Sequence, residues 1–172
     1  MAPPKYPAGE HVPEPNPTPE TRAASIAEIG GMPSQVRGLV AGMNGEQLGT
    51  KYVNWSVGQI VSHLADSHMN AFMRVKLALT EDHPTIRPYK EWEWSQSADA
   101  YEDPEFSLRI LEGLHTRWVR LLRALPADDF ARTYYHPERN RDYSLGETLD
   151  LYAWHGRHHS AQIEWIKQQH GW

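Results

Sequence analysis

Residues 144–171 read SLGETLDLYAWHGRHHSAQIEWIKQQHG, and this stretch decides the fold class. Ser144 and Glu147 form the capping-box pattern that begins a helix, and Gly171 is the residue type that commonly follows a helix end. Between them, seven side chains recur every three or four residues, which places them on one helix face: Leu145, Thr148, Tyr152, His155, His159, Ile163 and Ile166. The pattern predicts an amphipathic helix over about residues 145–169.

Similar signals predict three more helices upstream. Each begins after an N-cap residue type, followed either by proline at the first helical position or by glutamine at the third. These helices follow Thr18, Ser56 and Asp103 and extend to about Met43, Thr80 and Leu125, with a bend near Pro33 in the first. Four helices of this length predict an all-α, up-down-up-down four-helix bundle. The tyrosine-rich segment 127–143 could add a short β-ribbon before the last helix.

Length and composition indicate one domain and exclude several classes of protein. Residues 1–17 contain six prolines and predict an extended N-terminal arm, and residues 18–172 predict a single domain of the bundle type. The net charge of −5, without a basic block, argues against a nucleic-acid partner. No cysteine is present, which excludes disulfides and thiolate metal sites. No apolar run is long enough for a membrane span, so we expect a cytoplasmic protein.

The ten histidines suggest a metal site. His155 and His159 lie one turn apart on the core-facing stripe, where two imidazoles can bind one ion. Imidazoles are costly to bury without a partner, which favours this interpretation. In an up-down-up-down bundle the second and fourth helices run parallel, so His63 would lie about 10 Å and His155 about 16 Å from their helix starts. His63 is therefore a candidate third ligand.

His115 is the alternative third ligand, because it lies on the apolar stripe of the predicted third helix. Glu112 and His115 form a Glu-x-x-His motif, but a di-iron bundle needs two such motifs and two more carboxylates. A di-iron site is therefore excluded. The remaining histidines of the arm, the loops and the tail are expected to be exposed: His11, His83, His136 and His170.

Several motifs, in this order and spacing, resemble the DinB-like superfamily and its YfiT-type metal-dependent hydrolases: Trp55-Ser56, His63 to Asn70, Tyr135-His136-Pro137 and Trp154-His155-x-x-x-His159. The likeness extends over nearly the whole chain, and some members of the group act as bacillithiol S-transferases. The resemblance implies a homodimer with one zinc or nickel ion per subunit, bound by His63, His155 and His159. It also makes three residues candidates for the substrate-binding wall: His68, Asn70 and Arg74.

A site of three histidines leaves metal positions open for water or substrate, which is typical of a catalytic centre. Gly156 occupies the position where zincin proteases carry their general base, so a hydrolase that uses metal-bound water needs another base, and Asp66 is the nearest candidate. A thiol needs no such base, because a metal ion replaces its proton. We therefore predict transfer of a low-molecular-weight thiol of the bacillithiol type to an electrophile. The alternatives are a hydrolase, a non-catalytic metal-binding stress protein, and a ligand-binding module without metal.

Overall fold

The computed structural model describes residues 2–172 and confirms an all-α four-helix bundle with a short β-ribbon before the last helix. Within these residues the chain forms six α-helices: α1 Pro19–Val40, α2 Gly45–Gly49, α3 Val57–Thr80, α4 Glu91–Ser95, α5 Pro104–Ala124 and α6 Leu145–His170. The four long helices α1, α3, α5 and α6 form the bundle. Strands β1 Thr133–His136 and β2 Arg141–Ser144 pair antiparallel.

The expected cap residues begin all four long helices. Ser56 and Ser144 make complete capping boxes with Gln59 and Glu147, in which each side chain satisfies a free backbone N–H of the other residue. The Thr18 side chain caps α1 by accepting a hydrogen bond from Thr21 N–H, without a reciprocal bond. These local bonds explain why the helix starts can be read from the sequence. No helix of residues 2–172 combines the length and the apolar character that crossing a bilayer demands.

The helices do not alternate in direction, which corrects the up-down-up-down order. Helix α3 is antiparallel to α6, because His63 contacts His159 while Arg74 bonds Tyr152. Helices α1 and α6 are parallel, since three contacts advance together along the two helices: Glu28–Arg157, Gln35–Glu164 and Leu39–Lys167. Helix α5 is antiparallel to α1, because Arg37 bonds Glu105 while Ile29 bonds His115. It is parallel to α3, because His68 stacks on His115 while Phe72 packs on Trp118. The order is therefore up-down-down-up.

The length of the connection between α3 and α5 explains this order. Helix α3 has 24 residues and is about 36 Å long, so a parallel neighbour must start again at the opposite end of the bundle. Residues 81–103 can span more than about 70 Å when extended, which is enough to return along the bundle. Short loops would force alternating directions, whereas this long crossover does not. The crossover also passes over the side of the bundle where the histidines of α3 and α6 meet.

Two apolar clusters fill the bundle, one toward each end. One contains Trp118, Leu122, Tyr134 and Leu149, and the other contains Val57, Ile60, Leu111, Ile163 and Ile166. His115 on α5 and His155 and His159 on α6 lie in the stretch between these clusters. Apolar packing at both ends therefore supports a polar layer near the middle of the bundle.

The proline-rich arm lies against the body of the protein. The backbone oxygen of Gly9 accepts a hydrogen bond from Trp154 Nε1 at 3.0 Å, and His11 Nε2 lies 2.8 Å from Asp150 Oδ2. His11 is thus largely shielded, which differs from the exposure expected for it. The arm follows the outer face of the first half of α6.

Candidate metal centre

Three histidines from two helices come together at the middle of the bundle. One ring nitrogen from each of His63, His155 and His159 lies within 4.8 Å of the other two. The Nε2 atoms of His63 and His155 are 3.2 Å apart. Two imidazole nitrogens at about 2.05 Å from one tetrahedral zinc ion would be about 3.3 Å apart. The observed separation therefore fits two ligands of a single ion.

The surroundings keep these imidazoles neutral. Burial lowers the pKa of His63 and His155 well below the usual value, and neighbouring imidazoles lower it further. Burial lowers the pKa of His159 to about 3. The neutral imidazole is the form that binds metals, because its second nitrogen keeps a free lone pair. The donor set therefore fits a divalent ion that accepts nitrogen ligands, and zinc and nickel both meet that condition.

Further contacts orient two of the three rings. Nδ1 of His159 lies 2.8 Å from Gln162 Oε1, which can only accept, so the ring carries its hydrogen on Nδ1 and leaves Nε2 bare. The ring of Trp55 packs over His63 with 4.3 Å between the ring centroids. Partners of this kind fix the tautomer and the orientation of a metal ligand.

The histidines open into a cavity of about 440 Å³, and all three contribute to its wall. Residues from α3 and α6 form one side, including Ser67, Arg74, Tyr152 and His158. The other side comes from the crossover and the β-ribbon, and contains Tyr89, Glu91, His136, Glu138 and Arg139. The cavity thus joins a nitrogen donor site to a polar wall that bears both positive and negative charges.

Arg74 is the one predicted substrate-binding residue that lines this cavity. Its side chain is buried, and its Nη1 atom donates to the hydroxyl of Tyr152 at 3.3 Å. Its Nε atom has no hydrogen-bond partner, and within residues 2–172 no carboxylate oxygen lies within 4 Å of the guanidinium. A buried cation without a carboxylate in direct contact is costly, so an anionic ligand would stabilise it.

The other predicted residues lie elsewhere. His68 is fully buried behind His155 and does not line the cavity. Asn70 donates to the backbone oxygen of Asp66 and lines a neighbouring groove. Asp66, the candidate base, is also absent from the cavity wall; burial and the nearby Asp99 raise its pKa to about 6. His68 and Asn70 were implied by the family resemblance, and Asp66 by its closeness in sequence to His63. The turn of the helix directs all three away from the cavity.

The rival ligand His115 belongs to a different contact. Its Nδ1 atom bonds the backbone oxygen of Ile29, and its ring stacks on His68 rather than joining the three histidines. The argument that placed His63 level with His155 assumed parallel helices, whereas α3 and α6 are antiparallel. The two rings meet because His63 lies in the first half of α3, at the level where the middle of α6 passes.

Several residues of the cavity wall could not be identified from sequence periodicity. His136 is buried and lines the cavity, which corrects the exposure expected for it. Glu91 also lines it, and burial raises the pKa of its carboxyl while Arg139 and Arg74 oppose that shift. Both come from connections whose unusual length was visible in the sequence. Long connections often carry functional residues, so this length was the available signal.

Comparison with known proteins agrees with this geometry. Residues 10–163 match the family model of the DinB superfamily. The chain is 42% identical over 170 residues to the "Putative metal-dependent hydrolase YfiT" of Bacillus subtilis, covering 97% of this chain and 96% of the relative. It is 45% identical over 149 residues to a protein of Oceanobacillus iheyensis with the same description, covering 86% of each.

The solved structure of YfiT from Bacillus subtilis superposes with a TM-score of 0.94 at 42% identity, covering 97% of both chains. That protein is described as a probable metal-dependent hydrolase with an unusual four-helix bundle topology. The non-alternating helix order of the present bundle accords with that description. The chain therefore belongs to the DinB superfamily, among relatives named as metal-dependent hydrolases.

Proposed function

We propose that the protein is a metal-dependent enzyme that transfers a low-molecular-weight thiol bearing carboxylates, of the bacillithiol type, to an electrophile. The observation that carries this proposal is the buried Arg74, which shares one cavity with His63, His155 and His159 and has no carboxylate partner within 4 Å. A ligand that spans this cavity would place a metal-binding atom at the histidines and an anion at the arginine. An acidic thiol has both groups.

The residues of the site would have different roles in the reaction. A divalent ion held by the three histidines, either zinc or nickel, would lower the pKa of a bound thiol or water. Arg74 would bind a carboxylate of the substrate through a charge-assisted hydrogen bond. The buried histidines and the aromatic wall keep bulk water from the reacting end, which strengthens each electrostatic contact there. Arg139, at the rim of the cavity, adds positive charge for an anionic ligand.

We expect Arg74→Met to raise KM for an acidic thiol about 10- to 100-fold, because a hydrogen bond to a charged group contributes about 1.5–3 kcal/mol. KM for a neutral thiol of similar size should change little. Steady-state conjugation assays with both thiols measure the difference. Arg157→Met is the matched control, since Arg157 pairs with Glu28 on the surface. Equal losses for both thiols in Arg74→Met would contradict the assigned role.

Hydrolysis is the second candidate reaction, and the position of Glu91 in the cavity wall favours it. This carboxyl lines the cavity and could accept a proton from water during attack on an ester or amide. Asp66, the base expected from sequence, is absent from the wall and becomes the control. If the enzyme is a hydrolase, Glu91→Gln should lower kcat about 100-fold or more, while Asp66→Asn should change it little.

The two reactions can be separated with one metal-loaded sample. Wild-type protein that conjugates thiols, and keeps this activity in Glu91→Gln, supports transfer. Ester hydrolysis that disappears in Glu91→Gln, without thiol conjugation in the wild type, would replace transfer with hydrolysis. Full metal content without turnover of either substrate class would instead indicate the non-catalytic metal-binding protein.

A further inference from the structure

We propose that His68 is a positioning residue, which fixes the tautomer of His155 and so presents Nε2 of His155 to the metal. This inference rests on the metal site proposed above but not on the reaction carried out there. Nδ1 of His155 lies 3.2 Å from Nε2 of His68, and Nε2 of His155 lies 3.2 Å from Nε2 of His63. The two nitrogens of His155 thus face different partners, one in the interior and one in the histidine cluster.

The chemistry of a neutral imidazole decides which ring donates the hydrogen bond between His68 and His155. Such a ring carries one N–H, and the nitrogen that binds an ion must be bare. If Nε2 of His155 binds the ion, its hydrogen must be on Nδ1. A buried N–H without an acceptor is costly, and the acceptor within reach is Nε2 of His68. His68 has no exposed surface, so water cannot take its place.

His68 must then carry its own hydrogen on Nδ1, and its surroundings suit that form. Nδ1 of His68 has no hydrogen-bond partner. The ring is nearly perpendicular to the rings of Tyr152 and Trp118, with centroids 5.2 and 5.9 Å away. Perpendicular aromatic neighbours can offer an N–H a π face in place of an acceptor atom. The arrangement therefore accommodates a bare Nε2 that is available to His155.

A chain of contacts from α1 holds His68 in this orientation. Its ring stacks on His115 at 4.9 Å between centroids and 18° between planes. Nδ1 of His115 donates to the backbone oxygen of Ile29. That oxygen is free because Pro33, four residues later inside α1, has no N–H to donate to it. Pro33 thus creates the acceptor that anchors His115, and His115 supports the ring that faces His155.

Two substitutions test the acceptor separately from the packing. His68→Leu removes the acceptor and keeps most of the volume, whereas His68→Gln places an amide oxygen near the former Nε2 position. Loss of a partner to a metal-binding histidine typically weakens affinity about 10- to 100-fold. We expect a loss of this size for zinc in His68→Leu and recovery of most of it in His68→Gln, measured by competition with a chelating dye. Equal losses in both variants would assign His68 to packing and overturn the proposal.

A second measurement uses the unmodified protein. Long-range ¹H–¹⁵N spectra of the zinc-loaded wild type should show a protonated Nδ1 on His155 and a bare Nε2 on His68, with a ¹⁵N–¹⁵N coupling across the hydrogen bond. His155→Gln and His68→Gln assign the signals by their disappearance. A hydrogen on Nε2 of His68 would overturn the proposal. Neither readout involves turnover, so failure of thiol transfer would leave this result standing.

Discussion

Replacing His63 with alanine should abolish stoichiometric metal binding, and so should His155→Ala and His159→Ala. Each substitution removes one of the three nitrogen donors that cluster within residues 2–172. The loss of affinity should exceed the roughly 10- to 100-fold effect of removing an outer partner. Elemental analysis of untagged protein after desalting measures the metal content. Purification on nickel resin must be avoided, because nitrogen donor sites bind nickel strongly.

His158→Gln is the matched control for these variants. His158 lies on α6 between His155 and His159 in sequence, yet it is outside the cluster of three. It should therefore keep a full complement of metal. A full complement in His63→Ala would contradict the site that spans α3 and α6. The measurement also tests whether the histidine set implied by the family resemblance applies to this chain.

Chelation should lower the melting temperature and leave the helices intact. The capping boxes and the two apolar clusters do not use the three metal-site histidines, so the bundle has its own source of stability. At free metal 100-fold above Kd, linkage contributes about 2.7 kcal/mol. For a domain of this size that corresponds to about 5–11 °C. Thermal unfolding followed by circular dichroism, with and without chelator, measures the shift.

The spectrum of the chelated sample also separates two kinds of metal site. A helical spectrum with a lower melting temperature is the expected result. A random-coil spectrum would show that the ion holds the fold together, as in small zinc domains. The site would then be structural, and this result would count against the proposed enzyme.

Local patterns explain why the helices were predictable. The Ser56 and Ser144 capping boxes and the Asp103-Pro104 start depend on neighbouring residues alone, and each appears at the expected position. The directions of the helices depend on the path of the crossover, which no local pattern specifies. That is why the helix bounds agreed to within a few residues while the up-down-up-down order was wrong. Helix α1 continues through Pro33 to Val40, as expected, and the bend expected near Pro33 stays a prediction.

The site was predictable in part for the same reason. His155 and His159 share a helix face, so their convergence follows from periodicity. The cavity wall combines residues distant in sequence, such as Glu91 and His136, and periodicity carries no information about such meetings. His68 was expected beside the substrate, and the structure places it behind His155. The division into an arm and one domain, the homodimer, the cytoplasmic location and the identity of the metal stay predictions.

The crossover between α3 and α5 has a consequence for how such proteins diversify. The metal-site histidines belong to two helices held by apolar packing. Tyr89 and Glu91 instead belong to a connection that contributes few side chains to the apolar clusters. Surface connections accept insertions and exchanges more readily than packed helices do. Selection can therefore remodel the crossover for a new substrate while the histidines and the fold remain unchanged. Relatives with the same three histidines need not share a substrate.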